Sequence, residues 1–510
     1  MRIRAEAWAL GAVAAVSVFA AAGRAQQYDL LLRGGQVVDP GNGIKARLDV
    51  AVRGDRIAAV AADIPPSQAR RVADVSNLLV VPGLVDLHMH VFGFEGHIAA
   101  DANALPAGTT TVVDAGGSGW RTFPEFRRTV IASSKTRVLV LLNIVGRGMI
   151  GEPYESDTTD MDPAKTADTI IHNRDVIVGI KTAHFAKAGY AAIDRAVEAG
   201  RLANVPVMVD SHIFSNSERS SKEDLLVHLR PGDIHTHMYN DRQIELIDRF
   251  SKKVQPWMWE ARRRGVLFDV GHGAGSFLWP VATPAVEQGF VPDTISTDLH
   301  ADSLRMQQSN MPNVMSKLLL LGMSFDDVLA RATVNPAKAI GRYPELGTLG
   351  VGQIADIAVL EAETGAFVFK DAWPAKRLGT QRLENVLTVR AGKIVYERDP
   401  RPPAAQDATL YDLLIKHATL AAGRTEDVAI IGNRVARVAS GLAAARARLL
   451  VEAEGYRMRP ADLAEGGTAD LELLEGGEVI MSVRGGKVIT DDLGLTVPDV
   501  SRAGAYSNYR

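Results

Sequence analysis

Cysteine is absent from the 510 residues of the chain. No disulfide framework can form, and any metal site must use histidine, carboxylate or lysine-derived ligands rather than thiolates. A large charge of one sign is also absent, because the formal net charge is -3. This balance gives no electrostatic reason to expect a nucleic-acid partner.

A hydrophobic run long enough to cross a membrane is missing as well, and the nearest candidate lies at the start of the chain. Residues 8–22 are apolar and rich in alanine, and they follow Arg2 and Arg4. The run is short for a span of about 20 residues, so it favours a secretory signal peptide over residues 1–25. We therefore expect a periplasmic or secreted protein, with no membrane partner once the signal is removed.

The length and composition predict a soluble protein of two or three domains. Hydrophobic residues make up 46% and charged residues 23% of the chain, which is typical of a globular protein with a large core. Over residues 26–81, short apolar runs with hairpin signals such as Gly54-Asp55 predict a small β domain. Similar runs return over residues 345–400, so we expect one composite β-sandwich that contains a large insertion.

The insertion, residues 82–344, alternates apolar strand-like runs with helical stretches. Such alternation predicts parallel βα units and an α/β fold, and eight runs over about 215 residues suit a closed (β/α)8 TIM barrel. The predicted strands are residues 80–90, 110–114, 138–145, 176–181, 205–212, 233–237, 266–272 and 294–298.

Polar side chains that can bind a metal ion or a substrate follow several of these strands. Because the active site of a TIM barrel lies at the carboxyl ends of its strands, we expect these side chains to converge. His88 and His90 share one strand face and suit a divalent ion. Periodicity does not choose between His235 and His237, and a structural histidine is an equal alternative for His272. The candidates are His88, His90, Lys181, His212, His237, His272 and Asp298.

The C-terminal residues 407–510 repeat the small β domain without the barrel. Residues 411–415, 432–438, 468–474 and 483–488 match residues 28–32, 54–60, 354–360 and 389–394 in order. Pro460 occupies the place of Pro82, but no pair of histidines follows it. We predict a second β-sandwich-like domain that lacks the metal site and packs against the first β domain or a partner subunit. A homo-oligomer is left open.

One set of residues and spacings extends over about residues 28–400 and includes the candidate ligands. It consists of Pro82-Gly83-x-x-Asp86-x-His88-x-His90, Lys181, His212, Thr236-His237, Asp298, Asn335-Pro336-Ala337 and Gly352-x-x-Ala355-Asp356. The set resembles the amidohydrolase superfamily, and within it the dihydroorotase-like amidohydrolases and deacetylases.

The resemblance implies a centre of two divalent metal ions. His88, His90 and Asp298 would bind one ion, and His212 and His237 the other, which selects His237 over His235. Lys181 would react with carbon dioxide to give a carbamate that bridges the ions, and burial favours the neutral amine that this reaction needs. Zinc suits the histidine-rich set, and manganese or iron also fits.

The reaction that the resemblance implies is hydrolysis of an amide or ester bond in a small acylated compound. A hydroxide between the ions would attack the carbonyl, and Asp298 would carry the proton to the leaving group. His272 is the candidate for substrate contact, and Asp86 lies behind His88. We expect a deacetylase or another deacylase. The alternatives are a cyclic amidohydrolase, of the dihydroorotase or hydantoinase kind, and a non-catalytic binding protein. His97, His172, His184, His228 and His300 receive no role.

Overall fold

The structure, a computed structural model, describes most of the chain outside its two ends. The described residues are 26–210, 219–241, 246–307, 309–373, 375–398, 411–420, 423–442, 447, 449–460, 463–493 and 495. The predicted signal peptide, residues 1–25, and the predicted ligand His212 lie outside them.

The described part of the chain begins with five strands of a mixed sheet. Asp39, at the end of the first strand, accepts a hydrogen bond from the Gly41 backbone N–H (3.0 Å) and so caps the first hairpin. The strands are Tyr28–Asp39 (β1), Ile44–Arg53 (β2), Arg56–Ala61 (β3), Ala69–Asp74 (β4) and Leu79–Pro82 (β5).

Pro82 and Gly83 divide the predicted strand 80–90 into two strands that belong to different sheets. Pro82 ends β5, and the Gly83 backbone N–H donates to the Asp356 carbonyl (2.8 Å). A Cβ atom on Gly83 would lie 2.2 Å from Thr110 Oγ1, so only glycine fits this close passage. The bend redirects the chain from the first sheet into the barrel.

Seven parallel strands follow, each hydrogen-bonded to the next in chain order. Every residue of the first, second and fourth of them is buried, as expected for parallel strands covered on both faces. The strands are Leu84–Met89 (β6), Thr109–Gly119 (β7), Arg137–Asn143 (β8), Ile177–Thr182 (β9), Val207–Asp210 (β10), Ile234–Thr236 (β11) and Leu267–Phe268 (β12).

Residues 294–299 close the barrel between its last and first strands. Thr294 forms a parallel bridge with Asp269, and Leu299 forms one with Met89. Asp86 of β6 accepts hydrogen bonds from both the backbone N–H (3.0 Å) and the hydroxyl (2.5 Å) of Thr297. The predicted eight-stranded TIM barrel is confirmed, although this last element is held by bridges and side chains rather than by a long ladder.

Helices surround the barrel, and the buried apolar residues of most of them form one core with the strands. They are Ala100–Ala104 (α1), Phe123–Phe126 (α2), Pro163–Ile171 (α3), Ala191–Ala203 (α4), Ser221–Glu223 (α5), Pro256–Arg263 (α6), Trp279–Glu287 (α7), Ala301–Gln307 (α8), Met311–Leu320 (α9), Phe325–Ala332 (α10) and Val334–Ala339 (α11). In the described part of the chain, no helix combines the length and apolarity needed to cross a membrane.

The first sheet is completed after the barrel by Ile357–Lys370 (β13), Lys376–Arg390 (β14) and Lys393–Glu397 (β15). The strand β13 pairs with β5, and the sheet order is β15-β14-β13-β5-β1-β2-β3, with β4 on β1. The barrel is therefore inserted in this sheet. The tip of the β13–β14 hairpin packs on the barrel, where the Trp279 indole N–H donates to the Ala375 carbonyl (3.0 Å).

Asp356 joins the barrel to the sheet. Its carboxylate accepts hydrogen bonds from Arg137 at the start of β8 (2.6 Å) and from Arg390 at the end of β14 (3.2 Å). The three side chains are 8%, 11% and 17% exposed. Because they are largely shielded from water, the two guanidinium groups depend on this carboxylate for compensation.

Replacement of Asp356 with alanine is expected to lower the free energy of unfolding by about 3 kcal/mol, since it leaves two buried cations without their partner. Chemical denaturation of both proteins measures the difference. Asp326→Ala is the control, because Asp326 pairs with Lys45 at an exposed site and its loss should cost less than about 1 kcal/mol. Equal losses in the two variants would contradict the assigned role.

The C-terminal strands form a second sheet with the same strand order as the first. The order is β18-β17-β16-β20-β21-β22-β23, with β19 on β16, and β20 leads directly to β21 where the first sheet has the barrel. The strands are Leu413–Thr419 (β16), Thr425–Ile431 (β17), Arg434–Ala439 (β18), Leu450–Glu452 (β19), Arg457–Arg459 (β20), Leu471–Glu475 (β21), Glu478–Arg484 (β22) and Lys487–Asp491 (β23). The predicted repeat without the barrel is confirmed.

An aspartate at the equivalent position of each sheet accepts hydrogen bonds from two backbone N–H groups. Asp49 accepts hydrogen bonds from the backbone N–H groups of Gly34 and Ile64, and Asp427 accepts them from His417 and Leu442. The second sheet packs an apolar cluster that includes Tyr411, Leu414 and Leu450 against Val368 and Leu378 of the β13–β14 hairpin. This hairpin thus contacts the barrel and the second sheet.

Candidate functional site

The candidate residues gather at the carboxyl ends of the barrel strands. His88 is the penultimate residue of β6, Lys181 lies near the end of β9, and His237 directly follows β11. Asp298 lies in the closing segment, residues 294–299. All four are buried, so the barrel collects several ionisable groups in a place that excludes most water.

His88, His90 and Asp298 form the tightest group. Asp298 Oδ1 lies 3.4 Å from His88 Nε2 and 3.0 Å from His90 Nε2. One ligand atom from each of the three residues lies within 4.8 Å of the other two. Two imidazole nitrogens and a carboxylate oxygen at this separation fit a single divalent cation.

The orientation of His88 is fixed from behind. The Thr236 hydroxyl donates to Asp269 Oδ2 (2.8 Å), so its oxygen accepts the proton of His88 Nδ1 at 3.1 Å. That arrangement places the proton of the neutral ring on Nδ1 and leaves Nε2, beside Asp298 and Lys181, as the nitrogen that can bind a metal ion. Hydrogen bonds of this kind hold ligating histidines in one tautomer.

Asp298 is held as an anion. Its backbone lies in the left-handed region (φ +47°), and its carbonyl accepts a hydrogen bond from His300 Nδ1 (2.7 Å). Burial raises the pKa of Asp298, but His88, His300 and His90 more than offset this and hold it well below its usual range. The carboxylate is therefore ionised at neutral pH.

Lys181 is fully buried beside this group, with Nζ 3.2 Å from His88 Nε2 and 3.9 Å from Met208 Sδ. Burial lowers the pKa of Lys181, although Asp210, Asp298 and other carboxylates oppose the shift. Gly116 makes room for the lysine stem, because a Cβ atom there would lie 2.7 Å from Lys181 Cγ. Burial of Lys181 favours the neutral amine that carbamate formation requires.

His237 and His235 occupy different surroundings. The His237 ring centroid lies 5.0 Å from that of His88, and its Nδ1 donates to the Gly271 carbonyl (2.6 Å). Burial lowers the pKa of His237, but Asp210, 3.3 Å from Nε2, reverses the shift. The His235 ring packs edge-on against Phe268, and neither of its nitrogens has a partner among the described residues. Burial lowers the pKa of His235 to about 3.

His272 lies deeper, in contact with a buried lysine. Its Nδ1 donates to the Gly273 carbonyl (2.9 Å), and its Nε2 accepts from Lys317 Nζ (2.7 Å). The ring stacks on Phe277. Gly273 passes so close to Asp298 that a Cβ atom there would lie 2.2 Å from Asp298 Oδ2. His272 and Lys317 therefore hold the loop that packs against the Asp298 carboxylate.

Lys317→Met is expected to reduce the pH dependence of stability. Burial lowers the pKa of Lys317 from its ordinary value of 10.5 to about 7, so between these values the unfolded chain binds one proton more than the folded chain. Stability contributed by this site therefore rises with pH, by at most about 1.4 kcal/mol per unit.

Unfolding free energies at several pH values between 7 and 10 measure the effect of Lys317→Met. The free energy of unfolding should rise more steeply with pH in the wild-type protein than in this variant. Lys338→Met is the control, because Lys338 is exposed. If the slope of unfolding free energy against pH is the same in Lys317→Met as in Lys338→Met, the low pKa assigned to Lys317 is contradicted.

Three further residues at the barrel mouth are not candidates on sequence grounds. Asp210 Oδ2 lies 3.3 Å from His237 Nε2 and 3.7 Å from His184 Nε2, and Glu155 contacts His184. Asp210 ends β10, so the rule that selected the other strand-end residues could have found it. Glu155 lies in a short 3-10 helix, Tyr154–Ser156, and His184 lies in a loop, so no periodicity marks either residue.

Comparisons with known proteins identify the family of the chain. The profile of the amidohydrolase family matches residues 279–395. A deacetylase of Agrobacterium fabrum is 31% identical over 355 residues, which cover 66% of this chain and 84% of that protein. A deacetylase of Brucella anthropi is 32% identical over 313 residues, 58% of this chain and 74% of that protein. The chain belongs to the amidohydrolase superfamily.

Other amidohydrolase relatives extend the match. A deacetylase of Enterococcus faecalis is 28% identical over 382 residues, which cover 72% of this chain and 99% of that protein. Crystal structures of an adenine deaminase and a dihydroorotase superpose with TM-scores of 0.66 and 0.62, at 27% and 28% identity. They cover 73% and 72% of this chain, and the matches span 100% and 98% of those proteins.

Membership in this superfamily makes the protein a hydrolase that acts on carbon–nitrogen bonds. Amidohydrolases generally use metal ions, and His88, His90 and Asp298 provide a donor set for one. The ligand roles assigned to Lys181, His212 and His237 and the substrate contact assigned to His272 stay predictions.

Proposed function

We propose that the protein is a metal-dependent deacylase that removes an acyl group from a small molecule. The observation that carries the proposal is the match to three bacterial proteins named deacetylase, at 28–32% identity and over 74–99% of their lengths. The group of His88, His90 and Asp298 supports metal-dependent chemistry.

The same residues support a centre with two ions. His88, His90 and Asp298 would hold one ion, His237 with His212 would hold the second, and Lys181 carboxylated by carbon dioxide would join them. The buried position of Lys181, 3.2 Å from His88, supports its part in this centre. Zinc suits the set best, with manganese or iron also suitable. Bound ions supply Lewis acidity and lower the pKa of the attacking water.

The protein's own side chains move the proton and orient the groups. Asp298, ionised and held by His300 and the Gly273 turn, accepts the proton of the attacking water and delivers it to the leaving nitrogen or oxygen. Thr236 and Asp269 keep His88 in one tautomer. His272, fixed by Lys317, stays the predicted contact for substrate.

A cyclic amidohydrolase is the second candidate. It is favoured by the dihydroorotase crystal structure, which superposes with a TM-score of 0.62 over 98% of its length. Opening a ring amide uses the same attack and proton transfer as deacylation. The two reactions differ in whether the leaving group stays attached to the acyl product.

We also propose that the protein works in the periplasm or outside the cell. The proposal rests on Arg2, Arg4 and the apolar residues 8–22, which have the composition of a secretory signal. A cyclic amidohydrolase of pyrimidine synthesis would need cytoplasmic intermediates, so export favours deacylation.

A substrate panel tests the proposed reaction. Protein loaded with zinc or manganese would be incubated with N-acyl amino acids, acyl esters and cyclic ureides, and products separated by chromatography. Release of a carboxylic acid from the acyl compounds is expected. Turnover of the cyclic ureides alone would replace deacylase with cyclic amidohydrolase, and no turnover by metal-loaded protein would contradict both.

A further inference from the structure

His184 and Glu155 form a hydrogen-bonded pair at the barrel mouth. His184 Nδ1 donates to Glu155 Oε2 (2.9 Å), and the other Glu155 oxygen accepts from the Gly151 backbone N–H (2.7 Å). The Glu155 carboxylate is only 2% exposed. A buried carboxylate anchored in this way holds the imidazole in one orientation and places its Nδ1 proton.

The pair adjoins the candidate metal centre. His184 lies two residues beyond the end of β9, the strand that carries Lys181. Its Nε2 is 3.7 Å from the Asp210 oxygen that also lies 3.3 Å from His237 Nε2. The His184 side chain is 33% exposed, whereas that of His88 is 1% exposed. A molecule entering the barrel mouth can therefore reach His184.

The backbone of His184 is unusual in the same way as that of two other site residues. Its φ is +52°, compared with +63° for His237 and +47° for Asp298. Residues other than glycine rarely adopt this left-handed conformation, and where they do, functional sites are over-represented. His184 and His237 lie just beyond barrel strands, and Asp298 lies in the closing segment, residues 294–299.

We infer that His184 is a further active-site residue that donates a hydrogen bond from Nε2 to the oxygen of the acyl group being cleaved. Glu155 is its positioning residue. The inference rests on the proposed deacylase function and adds a donor on the side of the site formed by Lys181, Asp210 and His237. Donors fixed before reaction stabilise the negative charge that grows on this oxygen.

The charges around His184 favour its donor form. Burial lowers the pKa of His184, but the hydrogen bond that His184 donates to Glu155 and the negative charges of Asp210 and Glu155 outweigh burial, and the net shift is upward. The protonated ring carries a proton on both nitrogens, so it can donate to Glu155 and to a substrate oxygen at once.

Substitutions separate this role from a structural one. In His184→Gln, kcat/KM for an acetylated substrate should fall by about 100-fold, with the metal content unchanged. In Glu155→Ala, kcat/KM should fall by a smaller factor. In Glu155→Gln, part of that loss should be recovered, because the amide oxygen can still accept the hydrogen bond from His184 Nδ1. His172→Gln, at a 70% exposed site, is the control and should match the wild-type protein. A metal content that falls in step with activity in His184→Gln would overturn the inference.

Binding of methylphosphonate tests the inference without turnover. This ion mimics the tetrahedral arrangement of an attacked acetyl group, and titration calorimetry on metal-loaded protein measures its Kd. We expect His184→Gln to weaken binding at least about tenfold, while His172→Gln leaves it unchanged. Equal affinity in wild-type and His184→Gln protein, or no binding to wild-type protein, would overturn the role of His184. Weakened binding together with an inactive substrate panel would overturn only the proposed deacylase function.

Discussion

Lys181→Ala protein is expected to lose most of its bound metal and nearly all of its activity. The amine lies 3.2 Å from His88 Nε2 and is fully buried, so alanine removes the group that would join the two ions. Loss of the metals removes several kcal/mol of transition-state stabilisation, which corresponds to at least about a 1000-fold fall in kcat.

Metal analysis of purified protein, alongside the substrate assay, measures this effect. Wild-type protein should carry about two ions per chain and Lys181→Ala well below one. Lys165→Ala is the matched control, because Lys165 is exposed on α3. Recovery of metal-depleted wild-type protein should also be slower in buffer freed of carbon dioxide. Full metal content in Lys181→Ala would contradict a carbamate at this position.

Asp298→Asn protein is expected to keep much of its metal but to lose catalysis. The amide oxygen can still face His88 and His90, whereas it cannot accept the proton of the attacking water. Loss of a positioned acid–base group costs about 100- to 10,000-fold in rate. Comparison of kcat with metal content in each variant measures the two effects separately.

The control for Asp298 is Asp302→Asn, which alters an exposed carboxylate on the neighbouring helix α8 and should retain wild-type kcat. A kcat for Asp298→Asn within tenfold of wild type, at equal metal content, would show that another group carries the proton. His300, whose Nδ1 contacts the Asp298 carbonyl, would then be the next residue to replace.

The fold could be predicted because two periodic signals extend over long segments. Apolar runs that alternate with helical stretches predict parallel strands. The ordered match of residues 407–510 to the first β domain predicts a duplicated sheet. The length of the β13–β14 hairpin could not be predicted, because contacts with the barrel and the second sheet, rather than a local pattern, hold the region of its tip.

The site could be predicted only where strand ends mark it. His88, His90, Lys181, His237 and Asp298 follow apolar runs, and the structure brings them together. Glu155 and His184 lie in the connections that follow β8 and β9, and the path of these connections depends on packing. Lys317 lies in a helix, where a lysine normally extends to solvent, so nothing in the sequence indicates that it is buried against His272.

Anomalous diffraction from crystals of the metal-loaded protein, collected at the absorption edge of the metal, tests the central claim most directly. We expect two peaks at the barrel mouth, one contacting His88, His90 and Asp298 and the other contacting His237, with Lys181 between them. Peaks only at other places on the molecule, or none at the barrel mouth of a loaded and active protein, would contradict it.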